Sequence, residues 1–442
     1  MRLGLDHFPF PVMAERIWRK YYIQGGKSPH APYVLPALQT GEEPRELAEL
    51  RVAANFVEVF LARQGHNNAV GINYMEKLQF PHLASIYGAM LAGVGYVLMG
   101  AGIPTKVPAV FDQFSRNEPA TYPLYVTGAG AGDAILMRFN PQDFAEGALP
   151  MLNRPRFLAI ISSSALALTL AKKSNGLVDG FVIEGPTAGG HNAPPRGQLQ
   201  LDHAGEPVYG ERDRVDLSKI RELGRPFWLA GGYGSPDALR TALNAGAAGV
   251  QVGTAFAFCD ESGMRDDYKR AVIGKVLHRN ARVFTNPLAS PTGFPFKVVS
   301  LEGTISEAIV FHRRPRVCDL GFLREAYRNT RGQVVYRCPA EPVSAYLSKG
   351  GTRQETERRT CLCNALVAAI GQPQTRGNNY VEPGVVTAGD DLAEIGRFLA
   401  PGADSYHAAD VIALLLSGVP KSAGCAAEDN QEETGKWQPM HQ

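Results

Sequence analysis

Eight short apolar runs, several closing on glycine or a small residue, alternate with stretches of helical period over the first 256 residues. This alternation limits what the chain can fold into more than any other feature. The runs are Tyr33–Leu38, Ala69–Met75, Tyr96–Ala101, Leu124–Gly128, Phe157–Ser162, Gly180–Gly185, Pro226–Gly231 and Gly249–Phe256. Between them apolar residues recur three and four apart, as in ELAELRVAANFVEVFLARQ and SPDALRTALNAGA, the spacing of helices with one buried face. Near-continuous apolar strands separated by helices predict a parallel sheet covered on both faces. Eight such units predict an α/β fold closed into a (β/α)8 TIM barrel over residues 31–300, after an N-terminal extension of residues 1–30. Pro36 interrupts the first unit, and TYPLYVTGAGAGDAILMRF reads equally as strand, hairpin or loop. Beyond residue 300 the alternation stops. Residues 301–422 read as a mostly helical C-terminal extension with a cysteine cluster, and residues 423–442 as a polar, acid-rich disordered tail.

The 45 Lys and Arg residues nearly balance 43 Asp and Glu, so no electrostatic footprint for nucleic acid or an anionic membrane is expected, and a small-molecule partner is. No run approaches the 18 or so apolar residues of a membrane span, and the N-terminus lacks a basic segment followed by an apolar one. Six cysteines among 442 residues are sparse for a secreted disulfide scaffold. A cytoplasmic, reduced protein is the expectation; the oligomeric state stays open, a homo-oligomer included.

In a barrel, functional groups gather where strands end and the following loops begin. The last two strands end in Ala230-Gly231-Gly232-Tyr233-Gly234-Ser235-Pro236 and Gly253-Thr254-Ala255-Phe256. Glycines here let backbone N–H groups approach and converge on an anion, and Ser235 with Pro236 begins a helix whose dipole points the same way. A phosphate site is expected; tight turns are the alternative. The sixth strand ends in Glu184-Gly185-Pro186-Thr187-Ala188-Gly189-Gly190-His191. Among ten histidines, His191 alone stands at a Gly-rich strand end, where its imidazole can accept a proton. A backbone-bonded loop histidine is the competing reading. Asn73, in Gly71-Ile72-Asn73-Tyr74, puts an amide at the second strand's end, as a flavin contact or a turn residue.

The segments GINYM, EGPTAGGHNAPPRG, LAGGYGSPDALRTALNAGAAGVQVGTAFAF and SPTGFPFKV, spread over about residues 69–300, resemble the nitronate monooxygenase (2-nitropropane dioxygenase-like) family of FMN barrels. That family includes flavin enoyl reductases of fatty acid and polyketide synthesis. The resemblance implies an FMN-dependent oxidoreductase, with Asn73 and Glu184 at the cofactor and Gly189 and Gly190 against the flavin. Gly231, Gly232, Gly253 and Thr254 would hold its phosphate, and His191 would be the base or lie near the substrate. It implies either oxidation of a nitroalkane or nitronate with O2, or NAD(P)H-dependent reduction of an enoyl thioester carried by an acyl carrier protein. A non-catalytic flavin-binding partner is the third reading. Two departures stand out. The lysine common on the fifth strand is absent from Phe157–Ser162, and the first 60 residues match poorly.

Cys318, Cys338, Cys361 and Cys363 place four thiols within 46 residues. They read either as ligands of zinc or an iron–sulfur cluster or as small buried hydrophobes. Arg353, Arg358 and Arg359 beside them read as a solvated helix face.

Overall fold

The computed structural model describes residues 1–130 and 135–418; the expected tail at 423–442 lies outside them. Six parallel strands make the central sheet: β1 (Gly71–Met75), β2 (Tyr96–Gly100), β3 (Arg156–Ile161), β4 (Gly180–Glu184), β5 (Phe227–Ala230) and β6 (Gly249–Gln251). They are hydrogen-bonded in that order. A curled sheet with sequential, all-parallel strands is the wall of an α/β barrel, and six of the eight apolar runs build it.

The other two runs lie elsewhere. Tyr33–Leu38 is irregular, as Pro36 lacks a ladder donor. Gln374 substitutes for a neighbouring strand, accepting from the Tyr33 N–H at 2.7 Å and donating to its carbonyl at 3.0 Å. The fourth run splits. Leu124 ends the strand Ala120–Leu124, antiparallel to Ile135–Phe139, whereas Val126–Thr127 pairs in parallel with Glu325–Arg328. Among the described residues β6 and β1 share no ladder.

Strand alternation divides the core. Val97, Met99, Phe157, Ala159, Ile161, Phe181, Ile183, Phe227 and Leu229 point outward into the main cluster beneath the helices. The opposite pleat, with Leu98, Leu158, Ile160, Val182, Trp228 and Ala230, packs a smaller interior cluster. Large and small residues interlock there: a Cβ added at Gly180 or Gly249 would lie 3.1 Å from the Trp228 ring. One indole therefore fills the space of two missing side chains, which is how a barrel interior reaches crystal-like density.

The chain after β6 forms the helix Asp266–Leu277 and an antiparallel hairpin, β7 (Val283–Asn286) with β8 (Phe296–Val299). The region beyond residue 300 is not helical alone. It contains the pairs Glu325–Arg328 with Val334–Arg337 and Thr375–Arg376 with Tyr380–Val381, and the first of these joins Val126–Thr127 in a three-stranded sheet. Among the described residues no helix is long and apolar enough to cross a membrane.

Candidate active site at the C-terminal ends of the strands

The carboxyl ends of β4, β5 and β6 enclose a cavity of about 290 Å³ lined by Glu184, Ala188–Gly190, Ala230–Tyr233 and Gln251–Thr254. Glu184, Ala230 and Gln251 stand on the interior pleat in register with one another and form its floor. Seven of the sequence-predicted residues meet here: Glu184, Gly189, Gly190, Gly231, Gly232, Gly253 and Thr254. Gly231 and Gly232 adopt left-handed φ values of 90° and 84°, which L side chains rarely tolerate. The turn they make leads into the helix Pro236–Asn244, whose Ser235 cap accepts from the Ala238 N–H at 3.2 Å.

Among the described residues nothing in the protein accepts from the Gly232 or Gly253 backbone N–H, and a Cβ built on Gly253 would meet nothing within 4 Å. These open donors beside a helix N-terminus suit a phosphate. Burial raises the Glu184 carboxyl to about 7, so near neutral pH it offers both an acidic proton and an acceptor oxygen.

The C-terminal segment 385–391 closes this end of the sheet. The Gly190 N–H donates to Thr387 Oγ1 at 2.8 Å, the Asp390 N–H to the Thr187 carbonyl at 2.9 Å, and the Gly389 N–H to Thr254 Oγ1 at 2.9 Å. Thr387, Ala388 and Asp391 join the cavity lining. The Asp391 carboxylate lies over the glycine turn: a methyl on Gly234 would sit 3.3 Å from its Oδ2. Burial raises the Asp391 pKa, against the lowering effect of its Thr254 hydrogen bond. No Lys or Arg lines the cavity among the described residues. Lys297, a cation absent from the fifth strand but present on β8, is buried and already paired with Asp390 Oδ1 at 2.5 Å and Thr285 Oγ1 at 2.8 Å. Backbone dipoles, not side-chain cations, must supply the site's positive potential.

His191 follows Gly190 but is not in the lining. Its ring packs edge-on against Phe296 at 4.9 Å, and Nε2 lies 2.7 Å from Ser290 Oγ. Ser290 Oγ also accepts from the Thr292 N–H at 3.2 Å and lies 2.8 Å from Thr292 Oγ1. If the serine proton points to Thr292, Ser290 accepts from Nε2–H, leaving the Nδ1 lone pair free. Burial lowers the His191 pKa to about 4, so the imidazole is neutral at pH 7.

Asn73 is exposed on the interior pleat beside Leu98 and is not among the residues lining this cavity. The cysteines converge: Cys338 and Cys361 are buried together, with Cys318 and Cys363 packed against them. Among the described residues, however, no three His, Cys, Asp or Glu side chains are arranged to hold a metal ion. The thiols pack against one another beside Asn364, which donates to Cys361 Sγ at 3.4 Å. Of the arginines, Arg353 and Arg358 are exposed, whereas Arg359 turns inward and donates to the Leu288 and Ser290 carbonyls at 2.9 and 2.6 Å.

Sequence reasoning missed Thr187, Ser290, Thr387 and Asp391. Ser290 lies within the SPTGFPFKV motif and was within reach. Thr387 and Asp391 carry no local signal, since Thr387 meets Gly190 across 197 residues.

Fold and site together define an α/β-barrel protein with a glycine-rich cavity at the carboxyl ends of its strands. Residues 150–285 match the nitronate monooxygenase family model. A nitronate monooxygenase of Pseudomonas aeruginosa is 35% identical over 205 residues, 44% of this chain and 52% of that protein. A nitronate monooxygenase of Paraburkholderia phytofirmans is 32% identical over 105 residues, 23% and 26% of the two chains. The chain thus matches about half the length of the first relative and a quarter of the second. Among solved structures, FabK from Thermotoga maritima aligns over 84% of this chain and 80% of its own at 16% identity and a TM-score of 0.44. Nitroalkane oxidase from Streptomyces ansochromogenes aligns over 83% and 85%, also at 16% and 0.44.

Proposed function

We propose that the chain is an FMN-dependent oxidoreductase of the nitronate monooxygenase type, acting on a nitroalkane or nitronate with O2. The observation that carries this reading is the glycine cradle, with open Gly232 and Gly253 N–H donors, whose Gly190 directly precedes the half-buried His191. When bound, FMN would take the substrate's electrons and return them to O2. Gly231, Gly232, Gly253 and Thr254 would hold its phosphate, and Glu184 would face its polar groups from the sheet floor. His191 Nδ1 takes the proton from the carbon bearing the nitro group, and the C–H electron pair stays on the substrate. Ser290 holds the ring in the tautomer that leaves Nδ1 open. The Phe296 ring covers part of the imidazole.

Two expectations follow from this arrangement. Ser290→Ala removes the acceptor that orients His191 and is expected to lower kcat/KM for a nitroalkane by about tenfold; Ser290→Thr restores most of the loss if orientation is its role. Asp391→Asn removes a carboxylate from the mouth of the phosphate cradle and is expected to tighten riboflavin 5′-phosphate binding roughly five- to tenfold at pH 7. In the wild type, protonation of Asp391 does the same, so affinity rises as pH falls; fluorescence quenching of the free cofactor measures both.

The function itself is tested by oxygen uptake with a nitroalkane on FMN-loaded protein, beside NAD(P)H oxidation with a crotonyl thioester. Uptake dependent on the nitroalkane supports the reading. Thioester-dependent NAD(P)H oxidation alone replaces it with enoyl reduction and makes an acyl carrier protein the natural donor. Bound FMN with neither activity leaves a flavin-binding partner.

A further inference from the structure

A second, larger cavity of about 510 Å³ opens beside the β7–β8 hairpin, among Arg282, Val283, Val298, Ile305, Phe311 and Leu362. It shares no lining residue with the glycine-rich cavity. The strand β8 and the C-terminal strap 385–391 run past both: Val298 lines this cavity while Phe296 of the same strand packs on His191, and Val385 lines this cavity while Thr387 lines the other. Its volume falls within the roughly 300–1,000 Å³ of small-molecule sites.

The floor is apolar, built on the cluster of Ala289, Phe296, Ile305, Leu362 and Val385. The rim is cationic. Arg282 and Arg358 are exposed there and make no ion pair among the described residues, and exposed His312 adds a ring N–H donor. Glu206 is the one carboxylate in the lining, and it accepts from the Thr285 N–H at 2.5 Å. Two guanidinium groups against one carboxylate leave a single net positive charge above a greasy floor. Arg358 has a left-handed φ of 57°, a conformation uncommon outside Gly, Asn and Asp. A strained arginine at the mouth of a cavity marks a position where side-chain placement outweighs backbone comfort.

We propose that this cavity binds a monocarboxylate with a compact hydrocarbon tail. The carboxylate sits between Arg282 and Arg358, which present planar donor pairs suited to it, and the tail lies on Val298, Ile305, Phe311 and Leu362. The inference stands independently of the proposed oxidoreductase activity.

The test uses octanoate as probe, titrated calorimetrically into the full chain, with octanol as the uncharged comparison. Saturable binding of one octanoate per chain is expected, with octanol at least about tenfold weaker, since hydrogen bonds to charged groups contribute this much. Prior loading with riboflavin 5′-phosphate should leave octanoate affinity unchanged. The double variant Arg282→Gln/Arg358→Asn should weaken octanoate about tenfold or more, asparagine being tolerant of the left-handed backbone. Ala308→Glu, an exposed lining position, should weaken it with little risk to folding. Absent saturation, equal binding of octanol, unchanged affinity in both variants, or competition with riboflavin 5′-phosphate would each overturn the proposal.

Discussion

Replacing His191 with glutamine is expected to lower kcat/KM for nitroalkane oxidation by about 10²–10⁴-fold, the usual contribution of a positioned base. Glutamine retains a donor for Ser290 but offers no imidazole lone pair, so FMN binding should survive while proton abstraction fails. The pH profile separates this role from a structural one. Burial lowers the His191 pKa to about 4. An active neutral base with that pKa gives a rate that falls only as pH drops through about 4 and is flat above it. An unburied histidine would instead inflect near its ordinary value of about 6.5. A preformed nitronate needs no proton removed, so its oxidation should be far less sensitive to His191→Gln. Equal losses on nitroalkane and nitronate would remove His191 from the base role and leave it as a wall of the substrate space.

The second large effect is on stability. Glu382→Ala is expected to destabilise the fold by about 3–5 kcal/mol, because a buried cation then loses its partner. The side chains of Arg314 and Glu382 are 4% and 0% exposed and meet in a two-bonded pair at 2.7 and 3.0 Å. Arg376 adds a bond to Glu382 at 2.6 Å and another to Asp319 at 2.7 Å, and Asn364 donates to Asp319 at 2.8 Å. Removing the central carboxylate strands the Arg314 guanidinium and leaves Arg376 with Asp319 alone. In a chain of this size the midpoint of thermal unfolding should fall by roughly 5–10 °C. The loss should also reach the active site. Glu382 precedes the strap, which is held by bonds from the Ile305 N–H to the Gly384 carbonyl at 3.0 Å and from the Val299 N–H to the Val386 carbonyl at 2.8 Å. Weaker riboflavin 5′-phosphate binding in this variant, before any thermal unfolding, would show the coupling. An unchanged melting curve would mean that relaxed packing or water satisfies the arginines.

The strap also bears on the missing strand-five lysine. Lys297 supplies a cation from β8, but Asp390 neutralises it, and Asp391 adds a carboxyl to the cavity. This site therefore combines backbone donors with acidic side chains, Asp391 adding to the Glu184 that the sequence resemblance placed at the cofactor. Asp391→Asn and Glu382→Ala act on the same segment in opposite directions, one relieving charge and the other loosening its anchor.

What could be read from the chain alone was whatever local chemistry dictates. Most of the parallel strands announced themselves because residues buried on both faces must be apolar, and β2, β4 and β5 stop where glycine frees the backbone. The cradle was legible for the same reason: the Gly231–Gly232 turn and the Ser235 cap are contained within a few consecutive residues. The tertiary structure alone decided the rest. Tyr33–Leu38 has strand-like composition but pairs with Gln374, and Val126–Thr127 found its partner almost 200 residues away in Glu325–Arg328. The four cysteines cluster as spacing hinted, yet side-chain geometry, which spacing does not encode, gives no metal-holding set among the described residues. Asp391 reaches the cradle only because buried hydrogen bonds and ion pairs fold the C-terminal region back over it. Such contacts depend on distance in space, and periodicity along the chain reports only on neighbours a few residues apart.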